Sequence, residues 1–164
     1  LAPGGWKIYV KEHISQFKVY QAAERAKPIE FYNMIASMPN VQLIPLTYTS
    51  FELIDKAKAS ATVSGTIGWE SVVRGKPALL FGHAWYKDCK GVFITHTVEN
   101  CKKAIQEIKN GYQVNMSEVK CFAQIVEKCS VRGYTHKNKY HKMNTISPEE
   151  NVENLARVIH EFVF

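Results

Sequence analysis

Short apolar runs alternate with longer stretches in which apolar residues recur every three or four positions. That pattern predicts β-strands separated by amphipathic helices. WKIYV, residues 6–10, alternates and is rich in β-formers, and it delivers Lys11, Glu12 and His13 to its C-terminal end. Pro28 is placed to open a helix carrying Ile29, Tyr32 and Ile35, which closes before Pro39 and Asn40. VQLIPL, residues 41–46, reads as a second strand. Ser50 is positioned to cap the next helix, with Phe51, Leu53, Ile54 and Ala57 on its buried side.

The stretch ASATVSGTIGWESVVRGKPALLFG carries the most information. It reads as a strand over Ala61 to Val63, a turn at Ser64, Gly65 and Thr66, a helix from Ile67 to Arg74, and a strand over Ala78 to Phe81. Gly75, Lys76 and Pro77 supply the stop between the last two, since glycine past a helix end followed by proline cannot continue the helix. Two apolar strands joined through one helix need a crossover, so the unit is a parallel βαβ. GVFIT, residues 91–95, adds a strand. Three amphipathic helices follow, lined by Val98, Cys101, Ile105 and Ile108, then by Val119, Phe122, Val126 and Cys129, then by Val152, Leu155, Ile159 and Phe162. The expected fold is α/β, a Rossmann-like, doubly wound and mainly parallel sheet of about five strands with helices on both faces. Residues 1–164 would form a single such domain.

Composition narrows the partners more than the fold. Hydrophobic residues make up 46% and charged residues 22%, so the chain can build a core and is neither disordered nor a disulfide-dense miniature. A formal charge of +6 favours anionic ligands: phosphate, nucleic acid, an acidic polymer or an anionic membrane surface. No apolar run is long enough to span a bilayer. The chain starts at Leu1, and LAPGGWKIYV lacks the layout of a signal peptide. Read as a cut, this start leads to the expectation of one domain from a longer protein. Cys89, Cys101, Cys121 and Cys129 contain no Cys-x-x-Cys pair. The last three fall on apolar positions of helical patterns, so buried, reduced thiols and a cytoplasmic setting are expected.

In an open parallel sheet, ligands bind beyond the carboxyl ends of the strands. Ser64, Gly65 and Thr66 lie between such a strand end and a helix start, where backbone N–H groups, two hydroxyls and the helix dipole converge on an anion. Gly65 and Gly68 would let a phosphate approach the backbone, and Glu70 could accept from a ribose hydroxyl. The alternative is that Ser64 or Thr66 caps the helix and the glycines permit tight packing. The segment is neither a P-loop nor a dinucleotide fingerprint. His13 would project into the same crevice, with an imidazole able to change charge near neutrality. In GHAWYKDC, residues 82–89, His83, Tyr86, Lys87 and Asp88 are polar candidates and Trp85 and Tyr86 offer stacking surfaces; a surface loop whose aromatics plug the core is the alternative. His96, His136, His141 and His160 form no metal-binding spacing, so no metal is expected. No elbow or Cys-His pairing suggests a covalent nucleophile.

The order KEH after a first strand, MPNVQLIPL with TSFELI, then SGTIGWESVVRGKPALLFGHAWY resembles the capsule polysaccharide biosynthesis and surface-carbohydrate export proteins. The resemblance runs from about Trp6 to Ile108, and it is strongest from Ala61 to Tyr86. It implies one half of a GT-B glycosyltransferase, in which two Rossmann-like domains close over a nucleotide-sugar donor, this chain being the C-terminal, donor-binding half. The family's Lys-x-His-Pro motif falls on Lys11, Glu12 and His13, with Ile14 where the family usually has proline. Its phosphate loop falls on Ser64, Gly65 and Thr66, followed by Gly68 and Glu70, while Gly75, Lys76 and Pro77 match the next turn and Gly82 and Tyr86 the loop beyond. The resemblance makes His13 the catalytic residue, and it makes Lys11, Ser64, Gly65, Thr66, Gly68, Glu70 and Tyr86 the nucleotide contacts.

The expected function is therefore donor binding in a bacterial transferase that builds a capsule or related surface polysaccharide, with a CMP-activated acidic sugar such as Kdo implied as donor. It needs no cofactor or metal. The implied partners are the nucleotide sugar, an N-terminal domain of the same parent chain, a glycan or lipid-linked acceptor, and an anionic membrane surface. A general base is not evident in the sequence. Two rivals stand beside it: half of a sugar-nucleotide epimerase, and a non-catalytic domain for an anionic polymer or nucleic acid. The second rests on VRGYTHKNKYHKMN, residues 131–144, where Arg132, Lys137, Lys139 and Lys142 interleave with Tyr134 and Tyr140 and no acidic residue intervenes.

Overall fold

The computed structural model describes residues 2–13, 27–134 and 146–163. Their contacts group into two compact units, Leu1–Val119 and Lys120–Phe164. The first unit is a small α/β fold with parallel strands and flanking helices, of the general Rossmann-like kind. Its order is β1 (Ile8–Val10), α1 (Ile29–Ala36), β2 (Val41–Leu43), α2 (Ser50–Lys56), β3 (Ser60–Thr62), α3 (Ile67–Val72), β4 (Ala78–Leu80), β5 (Val92–Ile94) and α4 (Val98–Lys109). Helix α5 (Met116–Lys128) crosses the division between the units, and α6 (Pro148–Val163) belongs to the second.

The strand pairings among the described residues are all parallel; a helix lies in the crossovers from β1 to β2 and from β3 to β4, while the helix-free residues 81–91 carry the chain from β4 to β5. They form two hydrogen-bonded ladders, β1-β2 and β3-β4-β5, where one continuous sheet of about five strands was expected. Ile8 pairs with Val41, Ser60 with Ala78, and Ala78 with Val92. Each strand is three residues long, so few bonds hold each ladder and the packed helices supply the remaining restraint.

Strand β4 is the centre. Ala78, Leu79 and Leu80 are all buried, as expected of a strand covered on both faces. Leu79 packs with Cys101, Ala104 and Ile108 of α4, and Trp6, Ala59, Phe93 and Ile105 pack against that cluster. Alternation turns Ala78 and Leu80 to the opposite face, where α3 lies against β3 and β4 and contributes fully buried Val72. The bend into β5 passes Gly91, whose φ of 94° belongs to the left-handed region, and an added Cβ there would meet both methyls of Val114 at 3.1 Å.

Local chemistry sets the helix starts. Thr49, and not Ser50, caps α2: the Glu52 N–H donates to Thr49 Oγ1 (3.2 Å) while the Glu52 carboxylate accepts from the Thr49 N–H (2.8 Å). This reciprocal box satisfies two otherwise unpaired donors, which Ser50 could not do one residue later. Of the residues expected on the buried side of α2, Ile54 is buried, Leu53 and Ala57 are half-buried, and Phe51 is exposed beneath the Arg74 guanidinium. Arg74 also grips both carboxylate oxygens of Asp55 (2.7 and 2.5 Å), joining the end of α2 to the turn after α3. That bond holds the Asp55 carboxyl below its ordinary range. Thr97 caps α4 by accepting from the Asn100 N–H at 3.1 Å.

The later helices depart from their expected stripes. In α4 the buried line is Cys101, Ala104 and Ile108, while Val98, in the first turn, is exposed. Cys89 and Cys101 are buried, but Cys121 and Cys129 are exposed, which corrects the expectation for those two; all four thiols are free. In α6 Val152, Ile159 and Phe162 are exposed, Phe162 to 83%, and Asn151 is the buried residue. Asn151 is drawn inward by hydrogen bonding: its Oδ1 accepts from the Tyr134 N–H (2.7 Å) and its Nδ2 donates to the Tyr134 carbonyl (3.3 Å). No helix among the described residues is long and apolar enough to cross a membrane.

Two measurements check this framework. Thr97→Ala should lower unfolding stability by about 1 kcal/mol in urea, through loss of the α4 cap. Because Asp55 titrates below an unfolded aspartate, its pairing stabilises the fold above the ordinary aspartate range, near pH 4, and is lost as pH falls through the depressed value. Arg74→Gln should therefore flatten the acid limb of the stability curve and leave its neutral-to-alkaline shape unchanged.

Candidate functional site

Three segments leave the carboxyl ends of the β3-β4-β5 ladder: residues 63–66 toward α3, residues 81–91 toward β5, and residues 95–97 toward α4. Hydrogen bonds sew them together. The Gly65 N–H donates to Thr62 Oγ1 at 3.0 Å, so the hydroxyl at the end of β3 turns the chain. The Gly82 N–H donates to the Val63 carbonyl at 2.8 Å. A Cβ on Gly82 would lie 2.8 Å from that same oxygen, so only glycine allows the two segments this close. Thr95 Oγ1 donates to the Leu80 carbonyl at 2.9 Å, and His96 Nε2 lies 3.1 Å from the Gly82 carbonyl.

Tyr86 is the peg of this arrangement. Its ring is 1% exposed, and its hydroxyl donates to the Gly65 carbonyl, which also accepts from the Gly68 N–H at 3.3 Å. Burial pushes the phenol's pKa up, so the hydroxyl keeps its proton as a donor. Gly68 is buried directly against this ring: a Cβ there would stand 2.5 Å from the Tyr86 hydroxyl oxygen. Gly68 thus makes room for Tyr86, and both residues build the loop from within. Trp85, beside it, packs against Trp69 with centroids 5.0 Å apart and the rings tilted by 56°, meets Tyr86 edge-on at 5.4 Å, and remains half exposed.

Ser64, Gly65 and Thr66 are exposed at the top of the loop. Thr66 does not cap α3; its backbone is already helical, and its hydroxyl donates to Glu70 Oε1 at 2.9 Å. Thr66 and Glu70 therefore act as a pair, with the carboxylate one turn inside the helix and half-buried. Lys11, Glu12 and His13 follow β1 directly, at the carboxyl end of the other ladder. Glu12 pairs with Lys27, whose ammonium also lies over the Phe31 ring at 5.0 Å. Comparison with protein-family models, with curated proteins and with solved structures finds no match. The chemistry of the site is therefore read from its own residues.

Hydrogen bonds tie Gly68 and Tyr86 to Gly65 and Glu70 to Thr66, with Ser64 next to them in the chain, while Lys11 and His13 follow β1 of the other ladder. Sequence reasoning missed His96. Its ring meets His83 at a centroid distance of 5.0 Å, tilted by 61°, so two imidazoles sit side by side beyond β4 and β5. The strand-end position that singled out His13 is shared by His96, two residues past β5. Among the described residues no three His, Cys, Asp or Glu side chains gather to hold a metal ion. Of the basic segment, Arg132 is exposed and Tyr134 is held by Asn151, whereas Lys137, Lys139, Tyr140 and Lys142 lie outside the described residues.

The peg can be tested directly. Tyr86→Phe should cost about 1 kcal/mol of stability through the lost bond to Gly65. Gly68→Ala should cost about 2 kcal/mol by forcing the ring outward. In urea unfolding the double variant should cost less than the two together, because the ring displaced by Gly68→Ala has already given up the bond that Tyr86→Phe removes.

Proposed function

We propose that this chain is the nucleotide-sugar-binding domain of a bacterial glycosyltransferase that builds capsule or another surface polysaccharide. The observation that carries the proposal is the placement of exposed Ser64, Gly65 and Thr66, with the exposed Trp85 indole on the adjoining loop, at the carboxyl ends of β3 and β4. A diphosphate or phosphate ester would take hydrogen bonds from the Ser64 hydroxyl and the loop backbone, whereas the Thr66 hydroxyl, which donates to the Glu70 carboxylate, would have to turn from it to join them. Trp85 would offer its exposed face to a base or sugar ring.

A strand order would support the same reading. Trp6, just before β1, and Ala59, just before β3, pack on one cluster. With the two ladders edge to edge the order would be β2-β1-β3-β4-β5, which reverses direction between β1 and β3. A reversal of this kind opens a crevice at the carboxyl ends, where open α/β sheets bind nucleotides. Lys11 and His13 would line one side of it and Ser64 to Thr66 the other. His13 would then donate to the departing phosphate, and Lys11 would balance its charge. A CMP-activated acidic sugar is the donor the motif resemblance favours; an N-terminal domain of the same parent chain would bring the glycan or lipid-linked acceptor, with the assembly working at the inner face of the membrane.

Calorimetric titration with CMP, UDP and GDP tests the donor reading. At least one should bind with a Kd below about 1 mM. Ser64→Asp, which places a carboxylate at the anion position, should weaken that binding about tenfold or more. Absence of binding by all three nucleotides at millimolar concentration would overturn the assignment.

A further inference from the structure

A glycosyl transfer needs a group to take the acceptor's proton, and of the carboxylates that follow β1 and β3, Glu12 is engaged by Lys27 and Glu70 by Thr66. His96 has the required chemistry. Its Nε2 lies 3.1 Å from the Gly82 carbonyl oxygen. A carbonyl oxygen can only accept, so this bond requires the proton on Nε2. In the neutral ring the lone pair is then on Nδ1, and the side chain presents a base of fixed tautomer. The ring is also fixed in orientation: Gly82 holds one nitrogen and His83 abuts the ring at 5.0 Å. Gly82 is itself held by the Val63 carbonyl, so the imidazole is referenced to the same loop as Ser64 to Thr66. A base whose far nitrogen is anchored by a third group is the common logic of activated-hydroxyl catalysis.

We propose that His96 is the proton-accepting residue of the site, serving a sugar hydroxyl as acceptor; this rests on the donor-binding function proposed above. In the step, the acceptor oxygen forms a bond to the anomeric carbon of the donor while the bond from that carbon to the phosphate oxygen breaks. The nucleotide leaves with that electron pair, and the hydroxyl proton passes to Nδ1. The resulting imidazolium keeps its Nε2–H bond to Gly82. His83 is the ionisable group in ring contact with it, and Glu99 follows three residues later in the first turn of α4.

The test is a two-bond ¹H–¹⁵N correlation spectrum of the described chain above neutral pH, assigned through His96→Gln and His83→Gln. The expected pattern for His96 is the Nε2–H tautomer, with uptake of the second proton at Nδ1 on acidification; the Nδ1–H tautomer overturns the proposal. Glutamine retains an N–H donor for the Gly82 carbonyl but cannot take up a proton. His96→Gln should therefore bind CMP, UDP or GDP within about twofold of the parent chain, while in the full-length parent it should lower sugar transfer by about 100-fold or more. Equal loss of nucleotide binding and transfer would make His96 a donor contact and overturn its role as base. If no nucleotide binds the unaltered chain, the donor reading fails, and the role of His96 falls with it whatever its tautomer. If nucleotide binds but the variant transfers sugar normally, only the role of His96 falls.

Discussion

Burial of β4 on both faces is the constraint on which the first unit depends. A three-residue strand with no exposed side chain must be covered by helix on either side, and it must have paired strands at both edges. Leu79 recruits α4 through Cys101, Ala104 and Ile108; Ala78 and Leu80 face the side taken by α3. Parallel pairing then sends every connection back over a face of the sheet and delivers three loops to one edge. The candidate site is thus a by-product of covering β4, and its geometry depends on how tightly those loops can be drawn together.

The loops are drawn together by close approaches that only glycine permits. Gly68 admits the Tyr86 ring and Gly82 admits the Val63 carbonyl. A motif such as SGTIGWE therefore encodes two things at once. Gly65 and its exposed neighbours face outward, while Gly68 and the aromatic residue 18 positions later form a buried lock beneath them. The outward half can be varied only as far as the lock allows, since Tyr86 bonds directly to the Gly65 carbonyl.

Much of the first unit was legible from spacing. Short apolar runs located all five strands to within three residues at either end, and the Gly75-Lys76-Pro77 stop separated α3 from β4 as expected. Side-chain competition was not legible. Ser50 and Thr49 are equivalent in type, and only the position of Glu52, three residues beyond Thr49, selects the cap. The stripe of α6 has the periodicity of a core helix, yet Asn151, which no hydrophobic pattern would choose, is the residue buried. Of the candidate site, the loop Ser64 to Thr66 and its place at a strand end could be read from the chain. The pairing of Thr66 with Glu70, the inward turn of Tyr86 and the meeting of His83 with His96 required three dimensions, because each joins residues on separate turns or segments.

The amide of Asn151 offers Tyr134 one acceptor and one donor, the same pair of groups that a neighbouring strand would present. A side chain has taken the place of a backbone partner, and it fastens the chain at Tyr134 to the second turn of α6. Ile146, just before that helix, is buried as well. Amide and carboxylate are alike in shape but not in this pairing: an aspartate at position 151 would keep the acceptor for the Tyr134 N–H and set a second acceptor against the Tyr134 carbonyl, so the nearest isostere would be a poor substitute.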